Sequence, residues 1–244
     1  MNIAVIGNGK MGRMIDEVCA KTQDLHVAGF VGPGACASLD EIPDVDVALD
    51  FSYPGNLQML LECAVKRHLP LVIGTTGLDD AQGEAIRAAG AQIPIVWANN
   101  FSVGVTVLCR LTRMAAQSLA GYDIELVEAH HNQKEDAPSG TAMALLSCLD
   151  PNREREVISG REGRVGKRGG EIGVHALRGG TVAGEHSVYF FGEMEEIELR
   201  HRADSREIFA RGALRAAAFA LEAKPGVYDM EDVLFGAQAP RKEE

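Results

Sequence analysis

Three scarcities bound what this chain can be. Basic residues are in the minority: 24 Lys and Arg stand against 35 Asp and Glu, a formal net charge of −11. That balance excludes nucleic acid and anionic membrane surfaces as general partners, because both need a basic face. An anionic ligand has to be drawn in by a local basic cluster instead. The five cysteines, at positions 19, 36, 63, 109 and 148, show neither the spacing of a disulfide framework nor that of a metal site. They read as reduced thiols of a cytoplasmic protein. Apolar runs all fall short of the ~18–20 residues of a membrane span, and Met1-Asn2 leads straight into a strand-like run without a signal-peptide pattern. No internal repeat is evident. What remains is an ordinary soluble composition, 46% hydrophobic and 24% charged, over 244 residues. That length suits two modest domains.

What is present is concentrated in one stretch, Glu128-Ala-His-His-Asn-Gln-Lys-Glu-Asp-Ala-Pro-Ser-Gly-Thr-Ala142. It starts as an extended run, Tyr122 to Ala129, in which Ile124 and Leu126 alternate with Asp123 and Glu125, the period of a half-buried strand. It ends on a helix whose Ala142, Leu145, Leu146 and Leu149 share one stripe. Ser139 is a natural N-cap, and the first helical amides, near Gly140 and Thr141, have no intrahelical acceptor. With the helix dipole they make an anion site. Lys134 adds a full charge, while His130 and His131 titrate near neutrality. One segment thus supplies an anion clamp and proton donors, which a reaction on a small carboxylate-bearing substrate requires. Neighbouring strand residues point to opposite faces, so His130 and His131 share a pocket only if the strand ends or bends there.

A second pattern opens the chain. The apolar run Asn2 to Ile6 meets Gly7-Asn8-Gly9-Lys10-Met11-Gly12 and then a helical pattern. In that setting GxGxxG reads as a dinucleotide fingerprint. Gly7 allows the tight turn, Gly9 lets the backbone meet a pyrophosphate, and Gly12 packs helix on strand. The next strand, His26 to Val31, should close on an acid for the adenosine ribose, but it runs into Gly32-Pro33-Gly34. NADH is left without a selective contact, and Lys10 can approach a 2′-phosphate. Use of both NADH and NADPH is expected, with NADPH favoured.

Strand-like runs at 45–51, 69–73 and 93–97 alternate with helical ones, which specifies a parallel, doubly wound sheet. Ligands sit at the carboxyl ends of such strands, where Gly74-Thr75-Thr76-Gly77 and Ala98–Ser102 fall. After Ser102 the pattern changes to a long helix over 103–119, the central stretch, and an apolar-poor segment over 150–170. That segment reads as a mobile loop with Arg153, Arg155, Arg161, Arg164, Lys167 and Arg168 solvated. Strand-like runs near 171–178, 181–191 and 195–202 indicate a mixed or antiparallel sheet, before a final helix over 205–223. His175, His186 and His201 lie in those strands and read as structural; they do not form a metal-spaced set, and no metal is expected. The fold expected is α/β: an N-terminal Rossmann-like parallel sheet, residues 1–101 and 212–244, plus an α+β substrate-binding and oligomerisation domain, residues 102–211, with a mixed open sheet.

The pattern Glu128-x-His130-His131-x-x-Lys134-x-Asp136-Ala137-Pro138-Ser139-Gly140-Thr141-Ala142 resembles the central motif of the dihydrodipicolinate reductases, NAD(P)H-dependent enzymes of lysine biosynthesis by the diaminopimelate route. The likeness runs from Gly7 to Leu234 and is thin over 32–44 and 150–170. It implies reduction of a small cyclic dicarboxylate, 4-hydroxy-tetrahydrodipicolinate, to tetrahydrodipicolinate by a homotetramer assembled through the second sheet. Cofactor contacts are expected at Gly7, Asn8, Gly9, Lys10, Met11 and Gly12 from the glycine loop. By resemblance they are also expected at Phe51, Gly74, Thr75, Thr76, Ala98, Asn99, Asn100 and Phe101. His131, Lys134, Gly140 and Thr141 should hold the carboxylates. Protonation falls to His130, with Lys134 as cationic partner or alternative donor; the sequence leaves open which delivers the proton, and whether the hydroxylated substrate is dehydrated on the enzyme. Domains joined near Ser102 and Arg211 would allow closure over the reacting groups. An amino-acid dehydrogenase of related plan would need a different central motif. A nucleotide-binding sensor or a purely structural oligomer would leave that motif or the glycine loop unexplained.

Overall fold

A computed structural model of the chain describes residues 1–236; the charged tail after Gln238, expected to fray, lies outside them. The chain forms two compact units, Met1–Val103 with the chain from Glu207 on, and Gly104–Arg206.

In the first unit, strands and helices alternate as β1 (Asn2–Ile6), α1 (Lys10–Cys19), β2 (His26–Val31), β3 (Val47–Asp50), α2 (Leu57–Arg67), β4 (Leu71–Ile73), α3 (Asp80–Gly90) and β5 (Pro94–Trp97). Between β2 and β3 only a 3-10 turn, Leu39–Glu41, intervenes. The later segment of this unit supplies α6 (Glu207–Glu222), β11 (Gly226–Tyr228) and α7 (Met230–Phe235). The strands form one parallel sheet in the order β11-β5-β4-β3-β1-β2. Burial of both faces explains why residues 47–49 of β3 and all of β4 are continuous apolar runs. One face packs Ile3, Val5, Leu49, Val72 and Val96 on α1 and the small-residue face of α6; the other packs Ala4, Ile6, Leu71, Ile73 and Ile95 on α2 and α3. A capping box between Asp79 and Gln82 starts α3, satisfying amides that the helix cannot. The strand order reverses between β1 and β3, so the switch point of the sheet lies at their carboxyl ends. Strand β11 was not expected from the sequence: Gly-Val-Tyr is too short to show a period, and its pairing to β5 defines it.

The second unit contains α4 (Val103–Ser118, which begins in the first), β6 (Asp123–His130), α5 (Gly140–Leu149), β7 (Val157–Ser159), β8 (Ile172–Arg178), β9 (Gly184–Phe191) and β10 (Glu196–Ala203). The sheet is mixed, in the order β10-β9-β6-β8-β7, with β6, β7 and β8 parallel to their neighbours among themselves and β9 antiparallel to β6 and β10. Ile124, Leu126, Val174, Val188 and Phe190 face Leu108 of α4 and Leu145, Leu146 and Leu149 of α5. Glu125, His175 and Tyr189 lie on the opposite face.

The segment over 150–170 departs from expectation. It contains β7, and three of its arginines are not merely solvated: Arg155 Nε donates to the Gly170 carbonyl at 2.6 Å. Arg161 bridges Glu125 and Glu171 at 2.9 and 3.0 Å, and Arg168 donates to Asp123 at 2.8 Å and to the Ile124 and Glu171 carbonyls. The β6 partners Asp123, Ile124 and Glu125 are distant in sequence, so composition could not reveal them. Burial opposes ionisation of Glu125, but Arg161 and His175 outweigh it and lower its carboxyl from 4.5 to about 2. A carboxyl depressed by folding stabilises above its unfolded value and loses that contribution as pH falls through its folded one. Denaturation measured against pH should therefore lose stability between pH 4.5 and about 2, and Glu125→Gln should flatten that loss. An identical acid profile in the variant would refute the assignment.

Candidate active site

Strand register assembles the first part of the site. Glu128 and His130, two apart on β6, project to the same face. His130 pairs with Arg178 on β8, and Glu128 pairs with His186 on β9. Glu128 is fully buried. Its Oε1 accepts from Arg178 at 2.8 Å and from the Ser139 amide at 3.2 Å; its Oε2 lies 2.9 Å from the other Arg178 nitrogen and 2.5 Å from His130 Nδ1. Burial favours the neutral acid, but Arg178 and His130 overcome it and hold the carboxyl below its ordinary range. Burial pushes His130 down, with Glu128 opposing. His186 is driven to about 4 by burial and by His130; its ring meets His130 edge-on at 5.1 Å, and its Nε2 lies 3.0 Å from Ser139 Oγ. Glu128, His130 and His186 bring ligand atoms within 4.8 Å of one another, but Arg178 takes both oxygens of Glu128 and its charge opposes a cation there.

β6 ends at His130, which frees His131 to turn into the loop. His131 Nε2 lies 3.3 Å from Arg206. Lys134 donates to both oxygens of Asp136 at 2.7 and 2.9 Å, and that contact pulls the Asp136 carboxyl below its ordinary value. The loop is pinned by Gly179 N donating to the His130 carbonyl at 2.9 Å and Arg178 donating to the Asp136 carbonyl at 2.7 Å. Ser139 caps α5, its Oγ accepting from Ala142 N at 3.2 Å. Gly140 opens the helix with nothing within 4 Å of the place a Cβ would take, so a ligand can approach its backbone. Loop and capped helix thus place His130, His131, Lys134, Gly140 and Thr141 on one strand–loop–helix junction.

In the first unit the expected cofactor residues all fall at carboxyl ends of strands. Gly7, at φ +103°, turns the chain out of β1, and a Cβ there would lie 2.4 Å from the Phe51 carbonyl oxygen; at Gly12 a Cβ would lie 2.1 Å from the Gly7 oxygen. Gly9 caps α1 with no side-chain hydrogen bond, no acid in the first turn and open space beside it, which suits the close approach of a pyrophosphate. Asn8 and Lys10 border the same turn. A cavity of about 220 Å³ brings together Met11, Phe51, Gly74, Asn99, Asn100 and Phe101, and adds Phe209 of α6. Ala98 packs half-buried against the core, Thr76 is exposed, and Thr75 turns inward to accept from Ser52 N at 3.0 Å. The site in this unit fits a dinucleotide.

Comparison with known proteins matches residues 1–101 to "Dihydrodipicolinate reductase, N-terminus" and residues 104–234 to "Dihydrodipicolinate reductase, C-terminus". The chain belongs to the dihydrodipicolinate reductase family. The 4-hydroxy-tetrahydrodipicolinate reductase of Akkermansia muciniphila is 47% identical over 241 residues, spanning 96% of this chain and 98% of its own. That of Caldanaerobacter subterraneus is 41% identical over 238 residues, 93% and 95% of the two chains. A dipicolinate-bound dihydrodipicolinate reductase from Paenisporosarcina sp. TG-14 shares the fold, with a TM-score of 0.76 over 96% of this chain and 99% of that one at 24% identity. Arg178, His186 and Phe209 stand beside the expected site residues, and sequence reasoning did not select them for the site. The only sequence signal for the first two was their place in strands whose register was unknown, and Phe209 read as one apolar position of a helix.

Proposed function

We propose that this reductase converts 4-hydroxy-tetrahydrodipicolinate to tetrahydrodipicolinate with NAD(P)H, on the diaminopimelate route to lysine. The observation that carries the reading is the β6–α5 junction, where a buried carboxylate pairs a histidine beside a lysine loop and a serine-capped helix. Glycine loop and cavity residues, Gly7–Gly12, Phe51, Gly74, Asn99, Asn100 and Phe101, would hold the dinucleotide, whose nicotinamide supplies hydride when bound. His131, Lys134 and the α5 N-terminus with Thr141 hold the two carboxylates; Lys134 exchanges Asp136 for a substrate carboxylate. His130 donates the proton that the reduced imine system needs, with Lys134 as the cationic neighbour. NADPH is favoured over NADH, because β2 runs into Gly32-Pro33-Gly34 without an acid and Lys10 borders the loop. The enzyme works in the cytoplasm as a homotetramer joined through the face of the mixed sheet that bears Leu177 and Phe191, both exposed in the single chain.

NADPH oxidation, with substrate made in situ from pyruvate and aspartate semialdehyde by the preceding synthase, tests the reaction. Substrate-dependent oxidation with both cofactors is expected. None from folded protein would leave a nucleotide-binding sensor as the better reading, and a kcat/KM for NADH ~100-fold above that for NADPH would overturn the cofactor assignment. Lys134→Ala and Thr141→Val should chiefly raise KM, since they remove binding that ground and transition states share. An unchanged KM in both would remove them from the carboxylate site.

A further inference from the structure

The Glu128–Arg178 pair is too costly to be incidental. A fully buried carboxylate must be charge-paired and hydrogen-bonded to persist, and Arg178 takes one oxygen with each of its terminal nitrogens. With the Ser139 amide on Oε1, one strong acceptor direction remains, on Oε2, and His130 Nδ1 occupies it at 2.5 Å. We infer that Glu128, locked by Arg178, is a positioning residue for His130: it accepts the Nδ1 proton and leaves Nε2 as the atom that exchanges protons with the ligand. The inference rests on His130 being the proton donor, as read above.

Several features converge on it. An ionised carboxylate only accepts, so the ring nitrogen facing it must carry hydrogen; the neutral ring is then the Nδ1–H tautomer. Nε2 has no hydrogen-bond partner among the described residues. It lies 3.2 Å from the position a Cβ would take at Gly184, so the absence of a side chain on that β9 residue leaves the ring its room. Four charged or titratable groups face the imidazole: Glu128 on its own strand, Arg178 on β8, His186 on β9 and Lys134 in the loop. Of these, Glu128 alone favours the imidazolium; burial, Lys134 and Arg178 oppose it. Glu128 cannot itself serve as the acid, because both its oxygens are engaged and it is held ionised. In the step, the Nε2–H bond of the imidazolium breaks as a C–H bond forms on the reduced substrate. The Nδ1 proton stays on the His130 ring, hydrogen-bonded to ionised Glu128, and Nε2 later regains a proton from solvent.

The test combines imidazole 15N NMR on the intact protein with pH profiles of kcat/KM. In wild type above its titration, His130 should show the Nδ1–H tautomer. Glu128→Gln removes the charge; Glu128→Asp keeps it opposite Arg178 while withdrawing the oxygens from the ring, which guards against misfolding of the first variant. Both should move His130 toward the Nε2–H tautomer and shift its titration to lower pH, by ~1 unit for Gln, a tenfold change in proton affinity. Because the donor must be protonated, the alkaline fall in rate should move down by the same amount. A solely structural Glu128 would lower activity without moving either. An Nε2–H tautomer in wild type, or an unchanged titration in the folded variants, would overturn the inference. The tautomer is read without turnover, so failure of the donor assignment, seen as normal kcat in His130→Ala, is distinguishable from failure of the pairing.

Discussion

His130→Ala should lower kcat by at least ~10-fold, within the ~10²–10⁴-fold that positioned acid–base groups contribute, and leave the affinity for NADPH nearly unchanged. The split follows from where the residue sits. His130 closes β6 in the second unit, and its contacts are to Glu128, His186 and the space beside Gly184. The glycine loop and the Phe51–Phe101 cavity are built from residues of the first unit. Loss of the imidazole therefore removes a proton source without touching the dinucleotide contacts. It also leaves Glu128 with one vacated hydrogen-bond direction while Arg178 and Ser139 N still satisfy the rest, so the fold should persist at a modest cost of ~1–2 kcal/mol. Stopped-turnover assays with calorimetry of NADPH binding check both halves. An unchanged kcat would take His130 out of the chemistry; lost NADPH binding would mean the variant damages more than the site.

What the sequence revealed and concealed divides along physical lines. Contiguous patterns were legible: the glycine loop after β1, the alternation that became the parallel sheet, Ser139 capping α5, and the histidine and lysine positions of the junction. Each is set by residues near in sequence, within reach of local rules of period and capping. Partners brought in by sheet register were not legible. Arg178 lies 50 residues from Glu128 and meets it because β8 runs parallel to β6; His186 arrives from the antiparallel β9. The same holds for Arg161 and Arg168, whose carboxylate partner Glu125 is set in β6. The first pattern over 150–170 is low in apolar residues, which tells of exposure and nothing of ion pairing across a sheet face.

Gly212→Ala carries the largest expected stability change, and it was also concealed, since a glycine inside a helical pattern reads merely as a weak helix former. A Cβ at Gly212 would lie 1.7 Å from the Phe101 carbonyl oxygen and 2.8 Å from its carbon. Both are backbone atoms, so no rotamer change relieves the contact; α6 or the segment after β5 has to move. α6 is buried along Ala210, Ala213, Ala216, Ala217 and Ala220, and Phe101, 2% exposed, packs edge-on against Phe51 at 5.5 Å. Interiors this dense transmit a displacement instead of absorbing it. Alanine gains ~1 kcal/mol of helix propensity over glycine, but overpacking costs ~1–3 kcal/mol, and more where backbone must shift. The net expectation is a loss of ~2 kcal/mol or more, with weaker NADPH binding because Phe101, Asn100 and Phe209 line the same cavity. Gly9→Ala supplies the contrast: at φ −87° with nothing within 4 Å, the methyl is tolerated by the fold and intrudes only where a pyrophosphate would approach. Chemical denaturation and NADPH titration of the two variants should separate cleanly, Gly212→Ala losing both properties and Gly9→Ala losing affinity alone. Wild-type stability in Gly212→Ala would mean that α6 and Phe101 do not approach as closely as the structure places them.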